Sequence, residues 1–251
     1  MSHLPGKFVW FECVTRDAKR AQAFYGEVLG WKVEAFPMGD FTYEMIKAGA
    51  TAIGGYAPPA DAKTPPHWIS YLSVDDVDAA VKRVTAAGGK LLDGPSDIPT
   101  VGRMAKVADP QGAIFQLFRA SDGDPADGPS AAGQFYWNEL WAADGKKAVA
   151  FYEKVAGFTH KDMDMGPEGT YHVLEKGDKS RAGIMTSTRK DVPPMWLPYV
   201  AVDDCDAAVA RAKKQGGAVH VEPTDIPNIG RFAILADPTG ATIAVIKPAT
   251  R

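Results

Sequence analysis

The sequence predicts an α+β chain built from two copies of one domain, and three observations carry that reading. Residues recur at a fixed spacing, which is the signature of an internal repeat. Val74-Asp75-Asp76 returns as Val202-Asp203-Asp204, Gly88-Gly89 as Gly216-Gly217, Asp97-Ile98-Pro99 as Asp225-Ile226-Pro227, and Asp109-Pro110 as Asp237-Pro238, each 128 residues on. Nearer the start, Phe24-Tyr25 returns as Phe151-Tyr152 at a spacing of 127, so copy two carries one extra residue near Gly166-Pro167. The second observation is the stretch 121–130, SDGDPADGPS, which has the composition of a connecting loop. It sets the domains at 1–120 and 132–251 with a linker at 121–131. The third is the order of elements, strand, helix and three strands, which occurs twice in each copy.

Copy one gives those elements in turn. Phe8 to Val14 alternates as a strand does. Asp17 stands at a helix N-cap position, Ala21, Phe24, Tyr25, Val28 and Leu29 follow at helical spacing, and Gly30 is a natural stop. Trp31 to Phe36, Phe41 to Ala48 and Ala50 to Tyr56 read as strands between turn residues. After the proline-rich break at 58–66, Trp68 to Val74 is a strand. Asp75 or Asp76 caps a helix with Val77, Ala80, Val81 and Val84 on one face, ended by Gly88-Gly89. Lys90 to Leu92, Arg103 to Ala108 and Ala113 to Arg119 complete the copy as strands.

Composition narrows the function classes. The 251 residues hold 28 basic and 31 acidic side chains, a net charge of −3, and no Lys or Arg run stands out, so the footprint of a nucleic-acid binder is missing. No apolar stretch approaches the ~20 residues of a membrane span. The first seven residues lack the apolar core of a secretory signal. Cys13 and Cys205 cannot make a disulfide framework and read as buried thiols. Together these features predict a cytoplasmic protein with neither a nucleic acid nor a membrane as its partner.

The ordered set Asp17, Phe24-Tyr25, Leu29-Gly30-Trp31, Val74-Asp75-Asp76-Val77, Gly88-Gly89 and Asp109-Pro110-Gln111-Gly112 resembles the vicinal-oxygen-chelate (glyoxalase, bleomycin resistance, dioxygenase) superfamily. Copy two carries the same set through Asp237-Pro238-Thr239-Gly240. With Pro65-Pro66-His67-Trp68 and Gly102-Arg103, the chain is similar to the two-copy glyoxalase-like subgroup. The resemblance implies tandem glyoxalase-like domains, each of paired βαβββ modules curled into an open barrel. It implies a lyase or isomerase if the chain is an enzyme, a small molecule as partner, and a monomer or homodimer, since the duplication supplies the pairing that single-copy relatives reach by dimerising. It also implies a divalent metal held by His, Gln or Glu on the first and last strands of a module. The corresponding places here are Trp10, Ile69 and Gln116 in copy one and Trp137, Leu197 and Ala244 in copy two. No metal site of the family's kind is therefore expected. No other cofactor is expected, and a divalent ion at an off-pattern site stays open.

Positions two apart share a strand face, so polar groups still line each barrel. Glu12 lies with Trp10, and Glu139 with Trp137 and Trp141. Glu12, His67, Tyr71 and Gln116 are expected around one cavity, with Glu12 and His67 the candidates for acid–base catalysis. Trp10, Tyr71, Gln116, Trp137, Glu139 and Tyr199 are candidates for holding the ligand. Arg103 and Arg231 would bind an anionic ligand group or pair with Asp97 and Asp225 to pin a loop. His160 and His172 stand apart in the sequence and carry no motif. Two functions compete: a glyoxalase-like enzyme on a small oxygenated substrate, and a binding protein that sequesters an antibiotic or metabolite without turnover.

Overall fold

The computed structural model describes residues 2–39 and 41–249. Four βαβββ modules follow one another. The first is β1 (Phe8–Val14), α1 (Ala18–Leu29), β2 (Lys32–Met38), β3 (Phe41–Ala48) and β4 (Thr51–Ala57). The second is β5 (His67–Ser73), α2 (Val77–Ala86), β6 (Lys90–Ile98), β7 (Gly102–Ala108) and β8 (Ile114–Ala120). The third is β9 (Phe135–Ala142), α3 (Gly145–Ala156), β10 (Thr159–Asp164), β11 (Thr170–Lys176) and β12 (Lys179–Thr186). The fourth is β13 (Met195–Ala201), α4 (Cys205–Lys214), β14 (Ala218–Ile226), β15 (Gly230–Ala236) and β16 (Thr242–Pro248). The strands form two eight-stranded sheets, ordered β2-β3-β4-β1-β5-β8-β7-β6 and β10-β11-β12-β9-β13-β16-β15-β14. The class is thus α+β with paired βαβββ modules, and the extra residue of copy two falls in a short 3-10 turn, Gly166–Glu168.

Helix ends follow the capping chemistry. Asp17, Asp76, Asp144 and Asp204 each accept a backbone N–H three residues on, a bond worth about 1 kcal/mol. Gly30 and Gly157 close α1 and α3 at φ 71° and 64°, where a side chain would be strained. The sequence pattern predicts β6 only over Lys90 to Leu92, short of Asp93-Gly94-Pro95. The strand runs instead to Ile98, with register shifts against β7 at Leu91/Asp93 and Asp93/Ser96. An edge strand tolerates this, since Pro95 need not donate to a neighbour.

The compact units cut across the repeat. One comprises Met1–Trp10, Ile69–Gly128 and Trp137–Trp196; the other comprises Phe11–Trp68, Pro129–Tyr136 and Leu197–Arg251. In the first, Arg83 Nε donates to the Val155 carbonyl at 2.7 Å, joining α2 to the end of α3. Gly89 keeps the approach close, because a Cβ there would stand 3.1 Å from Phe151 Cε2. In the second unit Arg211 Nη2 donates to the Val28 carbonyl at 3.0 Å, and a Cβ on Gly217 would stand 2.6 Å from Phe24 Cε2.

Most of the repeated motif residues serve these cores. Trp196 Nε1 donates to the Tyr152 hydroxyl at 3.0 Å, which reaches Asp109 Oδ2 at 3.3 Å. Asp109 Oδ1 accepts the N–H groups of Gln111 and Ala113, which holds the Asp-Pro turn. Burial pushes the Asp109 carboxyl above its ordinary range despite these donors. In the other unit Trp68 Nε1 donates to the Tyr25 hydroxyl at 2.9 Å, and Asp237 Oδ1 takes Thr239, Gly240 and Ala241 N–H groups. A buried chain of Trp, Tyr and Asp is costly to interrupt, because each member left unpaired loses its hydration without replacement.

The first part of the linker, 121–128, is fastened within the first unit. Asp124 is buried and accepts the Ser73 hydroxyl and the Leu4 N–H, both at 2.6 Å. Asp127 takes a two-pronged contact from Arg181 at 2.7 and 3.0 Å and the Lys7 ammonium at 3.2 Å.

Candidate functional site

The polar residues of the first module's β1 organise around a carboxylate. Glu12 is paired with Gly55 across the parallel β1–β4 ladder. Tyr43 comes over from β3 and donates its hydroxyl to Glu12 Oε1 at 2.7 Å. Gly55 makes the space: a Cβ there would stand 2.6 Å from Tyr43 Cε1 and closer still to Cζ and the hydroxyl oxygen.

The third module repeats the device in the other unit. Glu139 is paired with Gly183 across β9 and β12. Tyr171 from β11 is hydrogen bonded to Glu139, and a Cβ on Gly183 would stand 2.7 Å from Tyr171 Cε1. Two indoles complete the group. Trp141 Nε1 donates to Glu139 Oε1 at 2.8 Å, and Trp137 Nε1 donates to the Tyr171 hydroxyl at 2.8 Å. Burial, then the charge of Glu139, hold the Tyr171 phenol well above its ordinary pKa, so it stays a protonated donor. Glu139 is 7% exposed. Leu140 and Asn138 point to the opposite face of the strand, so the carboxylate, the two indoles and the phenol share one face.

The remaining candidates fall as follows. Glu12 and His67 belong to one compact unit, and Tyr71 and Gln116 to the other. His67 begins β5, with Nδ1 2.8 Å from the Pro65 carbonyl oxygen. Tyr71 is buried, neighbours Gln116 across β5 and β8, and meets Phe118 edge-on at 5.7 Å. The Gln116 carbonyl oxygen is buried with no hydrogen-bond partner among the described residues. Trp10 is half-buried in β1. Tyr199 is buried opposite Ala244, 6.3 Å from the Phe232 ring.

Arg103 is engaged by Asp78 at 2.7 Å and Asp97 at 2.9 Å, and Arg231 by Asp206 at 2.6 Å and Asp225 at 3.2 Å. The partners Asp78 and Asp206, on α2 and α4, were not foreseen. Both cysteines are buried; burial pushes the Cys13 thiol well up and the Cys205 thiol to about 11.

Sequence reasoning missed Tyr43, Tyr171 and their glycines. The repeat held the signal, since Tyr43 and Tyr171, and Gly55 and Gly183, are each 128 apart. It also missed that His160 and His172 meet at Asp162, 3.6 and 2.6 Å away. Among the described residues no helix is long and apolar enough to cross a membrane.

Residues 7–117 and 135–245 each match the family model described as the glyoxalase/bleomycin resistance protein/dioxygenase superfamily. CFP32 of Mycobacterium tuberculosis, whose name carries the word glyoxylase, is 40% identical over 96% of this chain and 94% of its own length. The anthracycline biosynthesis protein DnrV of Streptomyces peucetius is 34% identical over 97% of this chain and 94% of its own. Among solved structures, a 2,2',3-trihydroxybiphenyl 1,2-dioxygenase from Sphingomonas wittichii has a TM-score of 0.68 at 17% identity, covering 98% of this chain and 91% of that one. A Mn(II)-bound glyoxalase from Novosphingobium aromaticivorans has a TM-score of 0.67 at 20% identity, covering 98% and 83%. At these identities the two structures share the fold.

Proposed function

The chain belongs to the glyoxalase/bleomycin resistance protein/dioxygenase superfamily, and on that premise we propose that it takes a small oxygenated molecule against its carboxylate–phenol pairs, without the family's metal. The observation that carries this is the pair built twice, Glu12 with Tyr43 and Glu139 with Tyr171, each phenol seated over a glycine. A carboxylate kept on a sheet face, buried in Glu139 and half-buried in Glu12, can accept a ligand hydroxyl or draw a proton from carbon beside a carbonyl. A phenol that stays protonated can hold the carboxylate in place or donate to a ligand oxygen. Trp137 and Trp141 give the second pair flat walls that suit a planar ligand.

The donor set supports the metal-free reading. Carried over from the resemblance, the places for the ion fall on Trp10, Ile69 and Gln116 in copy one and on Trp137, Leu197 and Ala244 in copy two. An indole or an aliphatic chain offers no lone pair to a divalent cation, and one amide oxygen is a weak ligand by itself. The chemistry proposed for this chain therefore runs on carboxylate, phenol and amide groups.

A second reading is sequestration without turnover. It is favoured by the aromatic walls around Glu139, which suit holding a planar molecule. One experiment separates the two. The full chain is titrated with a panel of small carbonyl and polyphenol compounds, following tryptophan fluorescence and compound turnover together. Binding with turnover lost in Glu12→Gln or Glu139→Gln supports the acid–base enzyme. Binding without turnover supports sequestration. Binding and turnover that both survive the two substitutions would remove the carboxylates from the function.

A further inference from the structure

We propose that β10, β11 and α3 carry a zinc-type divalent cation site made by His160, Asp162 and His172. It lies apart from the carboxylate–phenol pair of the same unit. His172 follows Tyr171 on β11, so the two side chains point to opposite sheet faces. Tyr171 faces Glu139, while His172 faces α3, where Gly145 leaves it room: a Cβ on Gly145 would stand 3.2 Å from the His172 ring.

Strand geometry brings the three groups together. His160 and Asp162 are two apart on β10 and share a face, and Asp162 is paired directly with His172 across the antiparallel ladder. One ligand atom from each lies within 4.8 Å of the others. His172 Nδ1 is 2.6 Å from Asp162 Oδ1, and His160 Nε2 is 3.6 Å from the same oxygen. Two imidazoles and a carboxylate are the donors zinc takes when water completes a tetrahedron.

The orientation of His160 is an independent observation. Its Nδ1 is 2.8 Å from Glu153 Oε1, so Nδ1 carries the proton and donates to that carboxylate. Nε2 is left facing the Asp162 carboxylate oxygen at 3.6 Å, longer than a hydrogen bond and wide enough for a cation bound by both. A histidine that gives its far N–H to a carboxylate while its near nitrogen binds metal is the usual outer support of such sites.

The other copy supplies an internal contrast. At the repeat spacing, His160, Asp162 and His172 correspond to Val33, Ala35 and Glu44, while Glu153 and Gly145 correspond to Gly26 and Ala18. All five differ together. Glu44 is instead held by the Lys19 ammonium at 2.7 Å. Lys146, the counterpart of Lys19, lies near Asp162, and the site must tolerate its charge.

The test uses the full chain, stripped with a chelator and titrated with Zn²⁺ against a chromophoric competitor, with Co²⁺ as a spectroscopic probe. The expected result is one Zn²⁺ per chain, with a Co²⁺ spectrum of low coordination number. Exposed His160→Gln and Asp162→Asn should each weaken Zn²⁺ by about 100-fold or more, and Glu153→Gln by about tenfold. Thermal stabilisation by Zn²⁺ should vanish in the first two variants and persist in Glu12→Gln and Glu139→Gln. Three results would overturn the proposal: no stoichiometric Zn²⁺, affinity unchanged in His160→Gln and Asp162→Asn, or binding lost in Glu139→Gln instead.

Discussion

Replacing Gly183 with Ala tests the seat of the Tyr171 phenol. The new methyl would stand 2.7 Å from Tyr171 Cε1 and nearer to Cζ and the hydroxyl. No carbon pair sits at that distance, so the ring must move. Moving it strains a ring held by hydrogen bonds to Trp137 and Glu139 on a β-strand. Overpacking of this kind costs about 1–3 kcal/mol. Pulling the phenol from the carboxylate loses a charge-assisted bond of roughly 1.5–3 kcal/mol. The two overlap, so the expected destabilisation is about 2–4 kcal/mol. Urea unfolding followed by tryptophan fluorescence measures it, because Trp137 and Trp141 bracket the pair. A double-mutant cycle with Tyr171→Ala isolates the cause: in that background Gly183→Ala should cost less than about 1 kcal/mol. Equal costs in both backgrounds would refute the steric account, and a Gly183→Ala protein as stable as the parent would refute it outright.

Other outcomes follow from the same contacts. Arg103→Ala should leave ligand affinity unchanged and reduce stability only slightly, in a salt-sensitive way, since its partners Asp78 and Asp97 are solvent-facing; a large fall in affinity for an anionic ligand would show that the arginine binds it. The hydrogen bonds from Arg181, then the Lys7 contact, hold Asp127 at about 2, below its ordinary 3.8. A depressed acid stabilises the fold above its unfolded pKa and loses that effect as pH falls through the folded value. Asp127→Asn should therefore be destabilised on the order of 1–2 kcal/mol at pH 7, after screening, with that gap closing between about pH 5 and about pH 1; a gap that stays constant over that range would contradict the ion pair's role. Cys13 and Cys205, buried with raised pKa values, should resist alkylation in the native chain at pH 8 and label fully in denaturant; rapid native labelling of either would contradict their burial.

The α+β architecture was legible because its signals are local. Asp17 and Asp144 cap helices, Gly30 and Gly157 end them, and a repeat of about 128 residues doubles every observation. β6 was cut short because Asp93-Gly94-Pro95 obeys turn rules that an edge strand escapes. The compact units were not legible, because which module packs against which depends on contacts such as Arg83 with Val155, 72 residues apart. The same holds for the site. Glu12 and Glu139 stood out as carboxylates among apolar strand residues. Their partners Tyr43 and Tyr171 lie two strands away, and strand order, not spacing, brings them over. His160, Asp162 and His172 looked unrelated for the same reason, since the β10–β11 register alone places them together.

In the proposed function a carboxylate works with a phenol and without a metal. The most direct test is ligand binding by chelator-stripped protein, followed by tryptophan fluorescence, for the parent and for Glu139→Gln. A planar oxygenated ligand should bind the stripped parent with undiminished affinity and bind Glu139→Gln about tenfold more weakly or worse, as expected for a lost charge-assisted hydrogen bond. Binding that appears only when a divalent ion is restored, and that ignores the Glu139 substitution, would contradict it.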